Sequence, residues 1–142
     1  MLIREIEKSD FPALLSLWKN EIGSSKLTID NIISHYSTTY GDTRYKTFVA
    51  LLENQVVGFV SSVRSSAIGS ANGFIHIVGI AVCAAQQNKG IGSSLLRHMD
   101  EYAKSIGVDS IILCSGVNRT DAHAFYQRNG YDKDSWCFDK RV

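Results

Sequence analysis

A short segment between a strand-like run and a long helical run contains the residues best suited to chemistry. It extends from Gln87 to Ser93 and includes Lys89, Gly90 and Gly92. Glycines at a helix start let a ligand approach the main chain closely, and the unpaired N–H groups and positive dipole end found there attract anions. Because Lys89 adds a mobile positive charge, the segment predicts a diphosphate site that positions and neutralises its ligand without catalysing by itself.

Two common phosphate-binding motifs do not fit this segment. The dinucleotide fingerprint needs a third glycine at position 95, where the sequence has Leu95. The P-loop needs a Gly-Lys-Ser/Thr run, whereas here Lys89 precedes Gly90. Both motifs are therefore excluded.

The segment lies inside a predicted strand–helix–strand unit. The run from Phe74 to Val82 is apolar on both faces, as in a central strand covered from both sides. Apolar residues then recur at helical spacing up to Gly107, and Ser110 to Ser115 forms the next strand. Such a unit joins parallel strands by a right-handed crossover.

The remaining elements complete the order β-α-α-β-β-β-α-β-α-β. They are strands at Leu2–Ile6, Thr47–Leu52 and Val56–Ser62, and helices that begin near Ser9, Thr28 and Thr120. We expect a turn from Ser65 to Asn72, and the tail from Tyr131 to Val142 has room for one or two more strands. The order predicts an α/β fold with a mixed sheet and helices on both faces.

Length and composition place limits on function. A chain of 142 residues predicts one domain, residues 1–142. A net charge of +1 gives no reason to expect nucleic acid or an anionic membrane as a partner. Charges alternate from Met1 to Asp10, unlike a secretory signal, and no apolar run is long enough to span a membrane.

The cysteines point to a reducing compartment. Cys83, Cys114 and Cys137 are odd in number and widely spaced, which is typical of reduced thiols and predicts a cytoplasmic protein. They form no cluster with histidines at metal-ligand spacing, so we predict no metal. Cys83 is a weak candidate nucleophile, because no Cys-His-Asp arrangement can be assembled around it.

The pattern Gln87-x-x-Gly90-x-Gly92 resembles the acetyl-CoA diphosphate loop of the GNAT superfamily of acyltransferases. The later run Phe125-Tyr126 through Gly130-Tyr131 resembles a second pattern of the same superfamily. The resemblance implies a GNAT fold: a mostly antiparallel sheet of six to seven strands, splayed between the fourth and fifth, with about four helices on both faces. It also implies acetyl-CoA as co-substrate.

The resemblance assigns roles to particular residues. The pantetheine arm would pair with the main chain at the end of the fourth strand, Asn118 would bind near it, and the hydroxyl of Tyr126 would protonate the departing sulfur. The full set of expected cofactor-binding residues is Ile80, Ala81, Val82, Gln87, Asn88, Lys89, Gly90, Ile91, Gly92, Ser93, Asn118 and Tyr126.

The proton acceptor is left open between a side chain and water. Many members of the superfamily carry a glutamate on the fourth strand, where this sequence has His76. Imidazole titrates near neutral pH and could accept a proton directly or through an ordered water. His76 could equally be a half-buried strand residue with no catalytic role.

The expected function is N-acetylation of a primary amine by direct attack. A neutral chain favours a small soluble amine as acceptor, and the stretch from Asp121 to Lys140 is similar to small-amine enzymes such as aminoalkylphosphonate acetyltransferases. A protein or peptide N-terminus is the alternative acceptor. A non-catalytic acyl-CoA-binding module is the alternative from another class, and a homodimer through the C-terminal segment is possible.

Overall fold

The computed structural model describes residues 1–142, which form five strands and four α-helices. They divide into two compact units, Met1–Ile112 and Leu113–Val142. In chain order the elements are β1 (Leu2–Glu5), α1 (Phe11–Leu17), α2 (Ile29–Thr39), β2 (Tyr45–Leu52), β3 (Gln55–Ala67), β4 (Ser70–Val82), α3 (Ile91–Ile106), β5 (Ser110–Leu113) and α4 (Thr120–Arg128).

The strands form one mixed sheet in the order β1-β2-β3-β4-β5. The first four are antiparallel neighbours, and β5 lies parallel to β4 as the crossover through α3 requires. Strands β3 and β4 are longer than predicted, because the hairpin continues through most of the expected turn and Ala67 still pairs with Ser70. The mixed sheet is confirmed.

Helices cover both faces of the sheet, as the sequence predicted. On one face the ring of Phe48 contacts His98 and Tyr102 of α3, with ring centroids 4.5 and 5.6 Å apart. On the other face Phe59 stacks on Trp18, which follows α1, at 5.3 Å. Successive strand residues point to opposite faces, so β2 and β3 contribute to both cores.

Helix α1 does not stop at Leu17 but continues as a π-helical turn from Trp18 to Ile22. It ends at Gly23, whose φ of 95° is a left-handed conformation that favours glycine. The extension carries the helix to the end of β4, because residues of this turn pack against that strand.

The prediction of six to seven strands was wrong: the sheet has five. The tail from Tyr131 to Val142 forms no strand, and Trp136 and Phe138 are 73% and 93% exposed. Alternating aromatic side chains favour a strand, but a strand forms only where a neighbouring strand pairs with it. This tail has no such partner in the structure.

The second unit contains the end of β5, the turn that follows it, helix α4 and the tail. Helix α4 ends at Asn129, where the N–H of Gly130 donates to Gln127 O at 3.1 Å. The rings of Tyr126 and Tyr131 lie 6.0 Å apart within this unit. No helix in the chain combines the length and apolarity that a membrane crossing would need.

Candidate functional site

The predicted anion loop lies where the sequence placed it, between β4 and α3. A 3-10 turn at Ala84–Gln86 reverses the chain, and Asn88 and Gly90 then adopt left-handed conformations with φ of 60° and 82°. Helix α3 begins directly afterwards at Ile91. A left-handed residue next to a right-handed one, as at Gly90 and Ile91, turns successive N–H groups toward one side, which is the geometry of an anion-binding concavity.

The main-chain donors of this loop are free. Ser94 N–H donates to Gly90 O at 3.0 Å, but the N–H groups from Asn88 to Ser93 have no acceptor within the protein. Free N–H groups at the start of a 16-residue helix combine with its dipole to attract an anion. The donors and the concavity fit a diphosphate.

The side chain of Gln87 is bonded within the protein and does not point toward the free N–H groups, and the main-chain N–H of Gln87 donates to Ala84 O at 3.4 Å. Its Nε2 donates to Val82 O at 3.0 Å and to Glu21 Oε2 at 3.1 Å, so the side chain points back toward the strand. The other oxygen of Glu21 accepts the N–H of Ala84 at 3.1 Å. Glu21 is far away in the sequence, and no local pattern there signals a part in this loop.

Lys89 lies folded over the 3-10 turn. Its Nζ donates to Ala85 O and to Gln86 Oε1, both at 3.2 Å. It has no carboxylate partner among the ion pairs of the chain. Its charge is therefore available to a diphosphate beside the loop.

The end of β4 leaves main-chain groups unpaired on one side. Cys83 N–H donates to Val57 O at 2.8 Å, and bonding direction alternates along an antiparallel ladder, so Ala81 points toward β3. The N–H and C=O groups of Ile80 and Val82 therefore point away from β3. Of the three residues of this strand that were predicted to bind the coenzyme, only Ala81 has its main-chain groups directed toward β3 and not toward this edge. Its side chain is buried.

No strand covers that edge. Strand β5 has four residues and begins beside the start of β4, where Asp109 N–H donates to Gly73 O at 3.0 Å. A parallel strand of that length reaches no further than the middle of β4, which has 13 residues. The expected opening between the fourth and fifth strands therefore exists at Ile80 and Val82.

A β-bulge at Val78 separates the two halves of β4. The register pairs Ser61 with Gly79 and Ser62 with Ile77, which leaves Val78 without an opposite residue. Before the bulge, Ile77 belongs to the α3 side and His76 to the α1 side; after it, Gly79 meets Trp18 on the α1 side. His76 is half-buried and pairs with Val63 across the sheet, and its imidazole makes no hydrogen bond to the protein.

The second unit holds the other two predicted residues. Asn118 is exposed in the turn before α4. Tyr126 is half-buried on α4, where its ring lies 5.3 Å from that of Phe125. Burial raises the pKa of Tyr126 above its usual value, and the positive charge of Arg119 opposes this. The hydroxyl therefore carries its proton throughout the neutral range.

His123 is held in one orientation within the second unit. Its Nε2 lies 2.7 Å from Gly116 O, and because a carbonyl oxygen only accepts, this nitrogen carries a hydrogen. Nδ1 is buried without a partner, as is the hydroxyl of Ser115.

No group of three or more His, Cys, Asp or Glu side chains is arranged to hold a metal ion. All three cysteines are free thiols. Cys114 and Cys137 interact within the second unit, and this contact, together with burial, raises the pKa of Cys114. Cys83 lies half-buried at the end of β4.

The mixed sheet, the opening beside the end of the fourth strand and the glycine loop before α3 are the features that the sequence resemblance implied. The chain belongs to the acetyltransferase (GNAT) family, whose model matches residues 3–131. Acetyltransferases of this family use acetyl-CoA. The family resemblance and the fold class are thereby confirmed.

Among curated proteins, the chain is similar to an aminoalkylphosphonate N-acetyltransferase of Salmonella typhimurium. The two are 33% identical over 94 residues, which cover 66% of this chain and 61% of that protein. The match thus spans less than two thirds of the relative's length. It supports the subfamily resemblance but leaves the acceptor of this chain open.

Solved structures share the fold at low identity. A transcriptional regulator from Bacillus halodurans C-125 superposes with a TM-score of 0.92 at 20% identity, over 99% of both chains. AAC(6')-Iy in complex with the bisubstrate analog CoA-S-monomethyl-acetylneamine gives a TM-score of 0.85 at 14% identity, over 99% of this chain and 97% of the other. At these identities the likeness shows the fold alone.

Proposed function

We propose that the protein transfers the acetyl group of acetyl-CoA to a primary amine of a small molecule. The observation that carries the proposal is the row of free N–H groups from Asn88 to Ser93 in a Gln-x-x-Gly-x-Gly loop at the start of α3. The chain's membership of the acetyltransferase family supports the same reaction.

The loop would hold the diphosphate of the coenzyme. The N–H groups of Asn88 to Ser93 would donate to its oxygens, and Lys89 would supply a positive charge. From there the pantetheine arm would follow the open edge of β4, where Ile80 and Val82 offer main-chain groups, as an added strand does. Val82 O already accepts a hydrogen bond from the side chain of Gln87. The main-chain groups of Ile80 and the N–H of Val82 are therefore the ones available at this edge to pair with the pantetheine arm.

The arm would end near the bulge at Val78. When bound, acetyl-CoA supplies an activated acyl carbon for attack by an amine. His76 lies two residues before the bulge, about 7 Å along the strand, and its imidazole has no hydrogen bond to the protein. At that spacing His76 would accept the proton of the attacking amine through one water.

Tyr126 would provide the proton for the departing sulfur. Its raised pKa keeps the phenol protonated at neutral pH, which a proton donor requires. Asn118 would bind the pantetheine region from the turn before α4. Orientation of the two reactants would contribute most of the rate, since it can lower a barrier by about 7–11 kcal/mol.

The small-amine acceptor is supported by the chain's relatives. The Salmonella relative is named for an aminoalkylphosphonate, and a superposable aminoglycoside acetyltransferase from a soil metagenomic sample was solved with sisomicin. The net charge of +1 provides no basic surface for a larger anionic partner. A cytoplasmic location and a homodimer are further proposals of the same kind.

Two measurements test the proposal. Calorimetry with CoA measures binding without an acceptor, and thiol release from acetyl-CoA with a panel of aminoalkylphosphonates, aminoglycosides and short peptides measures turnover. We expect micromolar CoA binding and release of thiol with a small amine. Binding without release for any amine would identify an acyl-CoA-binding module, preferential release with peptides would favour a peptide acetyltransferase, and absence of binding would contradict the proposal.

A further inference from the structure

The proposed diphosphate loop, from Gln87 to Ser93, is hydrogen-bonded to a carboxylate that lies on neither β4 nor α3. Glu21 Oε1 accepts Ala84 N–H and Glu21 Oε2 accepts Gln87 Nε2, both at 3.1 Å. Gln87 Nε2 also donates to Val82 O at 3.0 Å. Three hydrogen bonds therefore join the π-helical turn, the 3-10 turn and the end of β4.

The position of this carboxylate is electrostatically unfavourable. Glu21 lies in the last turn of a helix, whose C-terminal end repels negative charge, and it lies beside a loop built to attract an anion. It forms no ion pair with any Lys, Arg or His of the chain. The hydrogen bonds from Ala84 and Gln87 are the interactions that offset this cost.

The packing of Trp18 brings Glu21 to the loop. Trp18 lies over Gly79 of β4, where a Cβ would be 2.7 Å from its ring. The ring also stacks on Phe59, with centroids 5.3 Å apart. Because Glu21 is one turn further along the same helix, it reaches the C-terminal end of β4.

We propose that Glu21 is a positioning residue for the diphosphate loop, acting through Gln87 and Ala84 to hold the free N–H groups in their binding geometry. The inference rests on the proposed function, since it assigns Glu21 to the same coenzyme site. Glu21 itself does not contact the coenzyme. Its carboxylate stabilises the loop conformation that the coenzyme binds, at the cost of a nearby negative charge.

Two effects of removing Glu21 have opposite signs, which makes the test decisive. Loss of the carboxylate removes repulsion and would tighten CoA binding, whereas loss of the hydrogen bonds loosens the loop and would weaken it. We expect the second effect to dominate: Glu21→Ala should raise the Kd for CoA about tenfold, as loss of hydrogen bonds to a charged group does. The kcat with saturating acetyl-CoA should change less than the KM.

The experiment compares Glu21→Ala, Gln87→Ala and the double variant by calorimetry with CoA. Because the two side chains belong to the same set of hydrogen bonds, their effects should not add. The double variant should bind CoA no more weakly than whichever single variant has the higher Kd. Hydrogen exchange at the Ala84 amide should speed up in Glu21→Ala. Glu101→Ala is the matched control: it removes the same charge from an exposed position on α3 and should leave the Kd unchanged.

The possible failures are distinguishable. If the unaltered protein binds no CoA, the proposed function itself fails. If it binds CoA and Glu21→Ala binds equally well or more tightly, the positioning role is refuted. A lowered Tm with an unchanged Kd, or additive losses in the double variant, would equally refute it, because Glu21 would then act on stability alone or independently of Gln87.

Discussion

The N–H groups at the start of β4 and those in the loop that follows its end differ in whether the protein provides an acceptor for them. At the start, the carboxylate of Asp109 accepts the N–H of Asn72 at 3.2 Å and its side-chain amide at 2.8 Å, and Ser70 adds a third bond at 3.2 Å. At the far end, the N–H groups from Asn88 to Ser93 have no acceptor within the protein. The chain thus supplies its own anion where the hairpin must be held, and leaves donors free where a ligand is proposed to bind.

The same contrast appears in the neighbouring strands. At its start β4 is flanked by both β3 and β5, so its main chain is paired on two sides. At its end only β3 is present, and the bulge at Val78 precedes the open edge. A continuous strand therefore combines a fully paired half, which gives rigidity, with a half-paired one, which offers binding groups.

The largest effect is expected from a substitution that adds a carboxylate beside the free N–H groups. Gly92→Glu would place a carboxylate in the first turn of α3, where it can accept the free N–H groups, as Asp109 does at the other end. We expect CoA affinity to fall more than a hundredfold without loss of stability, since acidic residues stabilise helix starts. Calorimetry and thermal unfolding measure the two quantities.

The control for this variant is Ser94→Glu. It adds the same charge two residues later, about 200° around the helix, at a residue whose N–H is already bonded to Gly90 O. Its CoA affinity should change less than about threefold, the effect of a screened charge. Equal losses in both variants would show that general charge repulsion, rather than occupation of the donors, controls binding.

Removing the hydroxyl of Tyr126 should separate turnover from binding. Tyr126→Phe is expected to lower kcat about a hundredfold, the lower range for a general acid, with the Kd for CoA unchanged. Because burial raises its pKa, the phenol stays protonated at neutral and mildly basic pH, and the unaltered enzyme should show no loss from this group there. An unchanged kcat in Tyr126→Phe would remove the residue from the reaction.

The packing of Trp18 against β4 can be tested at Gly79. Gly79→Ala would place a methyl group 2.7 Å from Trp18 Cη2 and 3.4 Å from Phe59 Cε2. We expect a loss of about 2 kcal/mol in the free energy of unfolding, measured with urea, as overpacking of a core costs. CoA affinity should also fall, because displacement of Trp18 moves Glu21.

Gly69→Ala provides the control, since a Cβ at this hairpin position would meet nothing within 4 Å and its φ is not left-handed. That variant should retain both stability and affinity. Similar effects of the two alanines would mean that the glycines matter through chain flexibility, and the packing argument for Trp18 would be incorrect.

The smallest effect is expected at the paired end of β4. Hydrogen bonds from the side chain and N–H of Asn72, together with one from Ser70, hold the pKa of Asp109 below its usual value, and desolvation opposes them. A lowered pKa stabilises the fold above the unfolded-state pKa, and this stabilisation is lost as pH falls through the folded-state pKa. Asp109→Asn should lower the Tm by a few degrees at pH 7.

That difference in Tm should shrink as the pH falls below the usual carboxyl pKa of about 4, and it should vanish below the lowered folded-state pKa, where the unaltered carboxyl is protonated as well. CoA affinity should be unchanged, because this end of β4 holds no free donors. A pH-independent difference in Tm would show that Asp109 acts by packing. Weakened CoA binding would contradict the claim that the start of β4 takes no part in the proposed site.

Much of the site could be predicted from local sequence. The Gly90-x-Gly92 spacing after an apolar strand identified the loop, because a left-handed residue and a helix start have strong local requirements. The helical spacing that follows identified α3 and hence the crossover to β5. The local sequence did not indicate that the side chain of Gln87 turns to Val82 and Glu21.

The strand count could not be predicted by the same means. Trp136 and Phe138 alternate as in a strand, yet both are exposed and the tail is irregular. The extent of β3 and β4 was underestimated because the polar stretch near Ser65 has no strand propensity of its own. Pairing across the hairpin, rather than composition, extends both strands.

The sequence by itself determined the family, the α/β order and the position of the glycine loop before α3, because each depends on residues that are neighbours along the chain. Only the tertiary structure decided that Glu21 joins the loop, that Gly79 makes room for Trp18, and that the end of β4 has an open edge. These features arise between segments distant in sequence, where packing and hydrogen-bond geometry, not local preference, select the partner.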